Sequence, residues 1–128
     1  MVPGLVLFVM GLFLAFNTQL AGTGATDNLI NPFPPTADSL EIGQRLYTEN
    51  CQSCHGVAGR GDGPQAAGLN PPPLDLVVHV PLHPDGALFG FIQNGIPGTA
   101  MPAWGNKLTN EEIWHIVNYI RTFEEVRQ

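Results

Sequence analysis

Apolar and polar positions divide the 128-residue chain into three stretches of different character. Residues 2–21 are almost wholly apolar and uncharged, and a helix over them would be roughly 30 Å long, about the thickness of the bilayer interior. Residues 22–37 are rich in glycine and proline, which favours an extended linker. The remaining residues combine helical periodicity with polar loops. We therefore predict a membrane anchor over 1–21, a linker over 22–37 and one domain over 38–128.

The apolar N-terminal stretch has a second interpretation, because a secretory signal peptide also contains an apolar core, of about 7–15 residues. A signal peptide normally carries positive charge before that core, whereas the first basic residue of this chain is Arg45. A small-residue cleavage site is poorly defined around residues 20–23. These features favour an uncleaved transmembrane helix. Its direction is not indicated by the sequence, since basic flanking residues are missing.

The domain contains three stretches with apolar residues at helical spacing and with helix-terminal signals. The predicted helices are Ser39–Asn50, Pro84–Asn94 and Asn110–Val126. Asp38 with Glu41, and Thr109 with Glu112, have the spacing of capping boxes at the start of the first and last helix. The sequence shows no strand-like alternation over a useful length, so an all-α fold is predicted.

The motif that carries chemistry follows the first helix directly and reads Cys51-Gln52-Ser53-Cys54-His55. C-x-x-C-H is the spacing at which two thiols bind a haem through thioether bonds and the histidine ligates its iron. These two cysteines are the only ones in the chain. Because a haem is large and apolar, a small domain with little core of its own gains buried surface by folding around it.

Two other kinds of site also use a C-x-x-C pair. A zinc site would add His79 and His83, but residues 55–78 between the pairs exceed the roughly 12–15 residues of the common finger and are rich in glycine and proline. A dithiol redox site belongs in a strand–helix–strand unit, which this sequence does not predict. Haem attachment is therefore the favoured interpretation of the motif.

An electron-carrying haem needs a second iron ligand on the other face of its ring. Met101 is the only methionine after the motif and lies between Pro97 and Pro102, where the backbone is stiff. The rival ligands, for which we predict surface or interface positions, are His79, His83 and His115. A ligating histidine usually donates its second ring nitrogen to an acceptor. For His55, we predict a carbonyl of the proline run 71–73 as that acceptor.

Several segments occur in a characteristic order along the domain. Gly43 and Tyr47 precede CQSCHG, which is followed by GRGDGP, LNPPPLDL, GIPGTAMPAW and EEIWHIVNYIRTF. Together these segments resemble the class I cytochrome c family over about residues 38–126. The resemblance implies an all-α cytochrome c fold, with three main helices around one covalent haem c. In that family the first and last helices cross at a glycine and an aromatic residue, which places Gly43 against Ile116 and Tyr119.

The resemblance also implies a set of residues around the haem. His55 and Met101 would be the two iron ligands, and Cys51 and Cys54 would form the thioether bonds. The full predicted set of cofactor contacts is Cys51, Cys54, His55, Leu69, Pro72, Leu74, Ile92, Met101, Pro102 and Trp104.

The PPxDL and MPAW variants are similar to those of cytochrome subunits in bacterial respiratory and photosynthetic membrane complexes, including the mono-haem subunit of alternative complex III. The resemblance implies single-electron transfer rather than enzymatic catalysis. The implied partners are other subunits of such a complex, a redox protein and the lipid bilayer, through residues 2–21. The implied location is the bacterial inner membrane, with the haem domain on its periplasmic face. The alternative is a haem sensor or peroxidase-like enzyme in which Met101 is a labile ligand.

The chain is acidic, with eleven Asp or Glu against five Lys or Arg and a formal net charge of −6. Nucleic-acid binding requires many Lys and Arg to replace the counterions of the phosphates, so this composition argues against it. An acidic surface is compatible with a partner that has a basic docking face, and equally with plain solubility.

Overall fold

The computed structural model describes residues 24–123, which form helices and connecting loops without a strand. The α-helices are α1 (Ala37–Asn50), α2 (Gln52–His55), α3 (Leu76–His79), α4 (Asp85–Asn94) and α5 (Asn110–Arg121). Short 3-10 turns occur at Ala66–Gly68, Val80–Leu82 and Trp104–Asn106. The three predicted helices correspond to α1, α4 and α5, which confirms the helical fold. The predicted membrane anchor lies outside the described residues, and no helix among residues 24–123 has the length and hydropathy to cross a bilayer.

Helix α1 begins two residues before the predicted Ser39. Thr36, not Asp38, is its N-cap, because the Thr36 hydroxyl accepts the Ser39 backbone N–H at 3.2 Å. The predicted capping box of Asp38 with Glu41 is therefore wrong. Asp38 lies in the first turn instead, where a negative charge interacts favourably with the helix dipole.

Helix α5 begins as the sequence predicts. The Thr109 hydroxyl accepts the Glu112 backbone N–H at 3.2 Å, and the Glu112 carboxylate accepts the Thr109 N–H at 2.8 Å. The α-helix ends at Arg121, and the predicted end at Val126 lies outside the described residues. Residues 122–123 continue in a tighter turn.

Helices α1 and α5 cross at Gly43, where the two backbones come close together. A Cβ atom at this position would lie 2.8 Å from the Cβ of Tyr119 and closer still to the carbonyl oxygen of His115. Tyr119 was a predicted neighbour, and the His115 carbonyl is a further close group that the sequence did not predict. The most deeply buried apolar side chains of α5, Ile113, Ile116 and Val117, form the centre of the core.

Residues 24–36, which we call the N-terminal strap, lie within the region predicted as a linker and are packed on α4 and α5. Gly86 of α4 has no room for a Cβ, because the Leu29 carbonyl oxygen would be 2.8 Å away and that of Thr26 nearer. The Asn31 side-chain amide donates to the Asn118 side chain of α5 at 2.8 Å, and the Asn118 amide donates to the Phe33 carbonyl at 3.0 Å. The strap therefore belongs to the packed structure of the domain.

The strap also changes the environment of His115. His115 is 7% exposed, and its Nδ1 shares a 2.7 Å hydrogen bond with the Ser39 hydroxyl. The Phe33 ring covers it, with 5.0 Å between ring centroids. The predicted surface position of His115 is therefore wrong, since a segment distant in sequence buries its face of α5.

Candidate functional site

All ten side chains predicted to contact the cofactor line one cavity of about 410 Å³. They are Cys51, Cys54, His55, Leu69, Pro72, Leu74, Ile92, Met101, Pro102 and Trp104. The cavity lies between α4, α5 and the loops around the C-x-x-C-H motif, and the buried side chains Val80, Leu88, Ile116 and Ile120 also line it. Its walls are mostly aliphatic, aromatic and proline side chains, as expected for a large apolar ligand.

The motif itself forms the single turn α2, directly after α1. The Cys51 N–H still donates to the Tyr47 carbonyl of α1 at 2.8 Å, so the motif starts in a direction fixed by that helix. Gly56 ends the turn with a positive φ of 84°, a conformation that favours glycine. The Tyr47 hydroxyl donates to the Gly56 carbonyl at 2.7 Å and holds this end in place. Both thiols therefore sit on one anchored turn of backbone.

The glycine-rich loop after the motif folds back over α2 and pairs with its free carbonyls. Backbone N–H groups of Gly61, Gly63 and Gln65 donate to the carbonyls of residues 53–55, at 2.8–3.1 Å. Gly63 lies so close to the Ser53 backbone that a side chain has no space there. This loop thus rigidifies the turn that carries the thiols.

His55 is oriented from the loop that follows this glycine-rich segment. Its Nδ1 lies 3.4 Å from the carbonyl oxygen of Leu74, so with the proton on Nδ1 the lone pair of Nε2 is available to a metal. The predicted proline carbonyl is therefore wrong, and the acceptor is the first residue after the proline run. Burial lowers the pKa of His55, and the hydrogen bond to Leu74 opposes that shift. The lowered pKa favours the neutral ring that binds metals.

Met101 is held by a compact turn. The Thr99 hydroxyl donates to the Ile96 carbonyl at 2.7 Å and accepts the Met101 N–H at 3.2 Å. The Ile96 N–H donates in turn to the Met101 carbonyl at 3.4 Å. The side chain is partly buried against the core and lines the cavity, so its thioether is presented by a backbone of fixed shape.

His79 and His83 also line the cavity, although the sequence predicted surface or interface positions for both. The H-x₃-H spacing was visible in the sequence, but nothing local showed which way the two rings face. The tertiary structure decides this, because α3 and the 3-10 turn Val80–Leu82 form part of the cavity wall. Phe91 is a further wall residue, and its ring meets that of His83 edge-on at 5.2 Å.

The donor set and the cavity fit a covalent haem better than the alternatives. No group of three or more His, Cys, Asp or Glu side chains within residues 24–123 has metal-binding geometry, so the zinc interpretation lacks a site there. Burial, and then the neighbouring Cys54, raises the pKa of Cys51 to about 12. Reactive dithiols have lowered thiol pKa values, so this environment is opposite to that of a dithiol redox site.

Comparison with known proteins agrees with this fit. Residues 38–120, more than half of the chain, match the family model described as "Cytochrome C oxidase, cbb3-type, subunit III". A solved chain of the reducing HAO-like protein complex of Kuenenia stuttgartiensis superposes with a TM-score of 0.63 and 28% identity. That match covers 72% of this chain and 46% of the other.

Curated relatives include cytochrome c55X of Paracoccus denitrificans, which is 31% identical over 104 residues, covering 79% of this chain and 84% of that protein. Cytochrome c6 of Gracilaria tenuistipitata is 26% identical, over 66% and 72% of the two chains. The gluconate 2-dehydrogenase cytochrome c subunit of Pantoea cypripedii is 29% identical, but the match spans only 20% of that longer protein and 66% of this chain. On the motif, the cavity and these matches, the chain belongs to the cytochrome c family, within the group described by the cbb3-type subunit III model.

Proposed function

We propose that this protein transfers single electrons through one c-type haem that is bound covalently to Cys51 and Cys54, with His55 and Met101 as the axial ligands. The observation that supports the proposal is the single cavity that collects two thiols, an imidazole and a thioether between apolar walls. When bound, the haem iron supplies a one-electron redox centre, whose potential depends on its ligands and on burial.

The residues of the chain have separate tasks in this proposal. The anchored turn α2 holds the thiols, and the Leu74 carbonyl fixes the ring of His55. The turn around Thr99 holds the thioether of Met101. Aliphatic side chains from α4 and α5 exclude water, which favours electron exchange over ligand chemistry at the iron. If His55 and Met101 both bind the iron, no open position would remain there for a substrate, so the proposed function is electron transfer rather than catalysis.

A place beside other subunits of a membrane complex is part of the proposal. The Pantoea relative is named as a subunit of a dehydrogenase, and the solved Kuenenia chain is part of a protein complex. We propose that residues 2–21 tether the chain to a bacterial inner membrane, with the haem domain on the periplasmic face. Deleting residues 2–21 should then give a holoprotein in the soluble fraction, and continued membrane association would contradict the tether.

Replacing Met101 tests the axial ligand. Met101→Leu keeps the volume of the side chain but removes the sulfur, and Met101→His supplies a different ligand at the same place. If Met101 ligates, the Leu variant should keep covalent haem, bind carbon monoxide when reduced and change its oxidised visible spectrum. The His variant should regain a six-coordinate spectrum and resist carbon monoxide. If Met101 only packs the cavity, the Leu variant will have the wild-type spectrum.

The wild-type protein provides the test against the sensor or peroxidase-like alternative. A ligand that stays bound should keep carbon monoxide from the reduced iron of the native protein. Rapid carbon monoxide binding by the wild type would contradict the electron-carrier proposal. Haem that remains on the denatured chain in a gel, and is lost when both cysteines are changed to alanine, tests the covalent attachment separately.

A further inference from the structure

The polar side chains of the cavity wall fall into two groups. Tyr47, Asn50 and Thr99 form hydrogen bonds inside the protein: the Tyr47 hydroxyl donates to Gly56, the Asn50 amide to Leu46 and the Thr99 hydroxyl to Ile96. In the described part of the chain, the rings of His79 and His83 make no hydrogen bond with protein atoms, although both line the cavity, and the indole N–H of Trp104 likewise has no hydrogen-bond partner there. These two imidazoles are therefore donors that are free to serve a ligand.

The segment that carries the two rings is tightly fixed. Arg121 of α5 donates to the Val80 carbonyl at 2.8 Å and to the His83 carbonyl at 2.6 Å. Its Nε also donates to the Asp85 carboxylate at 2.8 Å. Val80 between the two histidines is 1% exposed, so the backbone of the segment is held by burial as well as by hydrogen bonds.

Two positive charges lie on residues that touch the cavity wall without lining the cavity: Lys107 donates to Asn50 at 2.9 Å and lies over the Trp104 ring, and Arg121 binds the histidine segment. The guanidinium of Arg121 is neutralised by Asp85 and directed at backbone carbonyls. Within the described residues, no Asp, Glu, Lys or Arg side chain lines the cavity. A carboxylate placed in this cavity would thus find ring N–H groups rather than Lys or Arg side chains as its partners.

We propose that His79 and His83 donate hydrogen bonds to the two propionate carboxylates of the haem. This inference rests on the proposed function, because the propionates belong to the proposed cofactor. A carboxylate taken partly out of water requires hydrogen-bond donors, and donors to a charged acceptor make the stronger hydrogen bonds. The H-x₃-H segment is then a propionate-binding element, and Arg121 is its positioning residue.

The test compares variants that remove the donor with variants that keep it. His79→Leu and His83→Leu remove the ring nitrogens, whereas His79→Gln and His83→Gln keep a side-chain N–H. Val78→Thr is the matched control, since Val78 lies in the same segment, is 42% exposed and does not line the cavity. Each holoprotein is examined by resonance Raman spectroscopy of the propionate bending modes and by redox titration.

We expect the Leu variants to keep covalent haem and both axial ligands but to shift the propionate modes. Their reduction potential should fall, because less compensated negative charge near the iron favours the ferric state. The Gln variants should recover part of both shifts, and Val78→Thr should match the wild type. Unchanged propionate modes and potential in both Leu variants would overturn the inference. The inference would also be overturned if Trp104→Phe, which removes the indole N–H of another wall residue, shifted the propionate modes and the potential while the histidine variants did not.

The proposed function and the propionate assignment would be contradicted by different results. If the wild type carries no covalent haem, or if Met101→Leu leaves its spectrum unchanged, the proposed function or its ligand set is wrong. If haem attachment and ligation are intact but the histidine variants behave like the wild type, only the propionate assignment is wrong.

Discussion

The crossing of α1 and α5 at Gly43 gives the most direct test of how this fold is held together. In Gly43→Ala, the new Cβ would lie 2.8 Å from both the Tyr119 Cβ and the His115 carbonyl carbon, and nearer to the carbonyl oxygen. Backbone and Cβ atoms cannot move aside by a change of rotamer. The two helices must therefore separate, which loosens the apolar contacts between them.

The magnitude follows from two opposing effects. Overpacking of a core contact costs about 1–3 kcal/mol, and the upper end applies here because the obstacle is backbone. Replacing glycine by alanine inside a helix stabilises the folded state by about 1 kcal/mol through the higher helix propensity of alanine. The free energy of unfolding should therefore fall by about 2 kcal/mol, which lowers the melting temperature of a domain of this size by roughly 8–16 °C.

The assay is thermal and urea unfolding of the holoprotein, followed by far-ultraviolet circular dichroism. Gly68→Ala is the matched control, because a Cβ at Gly68 meets no atom within 4 Å and its φ is not positive. That variant should be as stable as the wild type or slightly more stable, by up to about 1 kcal/mol. A wild-type melting temperature for Gly43→Ala, or an equal loss in Gly68→Ala, would refute the close crossing.

Two further substitutions test long-range contacts. Ser39→Ala removes the hydroxyl that bonds to His115 and Asn118 in a buried site, so the free energy of unfolding should fall by about 1–3 kcal/mol. Arg121→Gln removes the clamp on the segment of the two cavity histidines and should cost about 2 kcal/mol in urea unfolding. Arg45→Gln, in an exposed pair with 3.6 Å between charged atoms, should cost under about 1 kcal/mol. Equal losses in the two arginine variants would contradict the clamp.

The predicted function and the packing are connected through the cavity. Helices α4 and α5 supply its apolar wall, while the motif turn and the Met101 turn supply the four proposed bonds to the cofactor. The Gly43 crossing keeps α1 against α5 and so fixes the position at which the motif begins. A change far from the iron can therefore alter the fit of the haem, and the stability variants should also be compared by their visible spectra.

Local patterns in the sequence determined much of this structure. The C-x-x-C-H spacing predicted a haem protein, which the match to the cytochrome c family supports, and apolar periodicity with glycine and capping signals located the three main helices. The Thr109 cap was predictable because its partner Glu112 lies three residues away. The choice of Thr36 over Asp38 was not predictable, since both residue types can cap a helix and the two lie only two positions apart, just after Pro34 and Pro35.

The positions of single side chains depended on contacts between distant parts of the chain. The hydrogen bonds of Ser39 with His115 and of Asn31 with Asn118 join residues 76 and 87 positions apart. No periodicity encodes such pairs, so the burial of His115 under the strap was missed. The same holds for His79 and His83, whose segment is held by Arg121 through the carbonyls of Val80 and His83. The sequence by itself determined the helices and the haem motif, because these are local signals. Only the tertiary structure decided which polar side chains are buried and which face the cavity, because packing sets both.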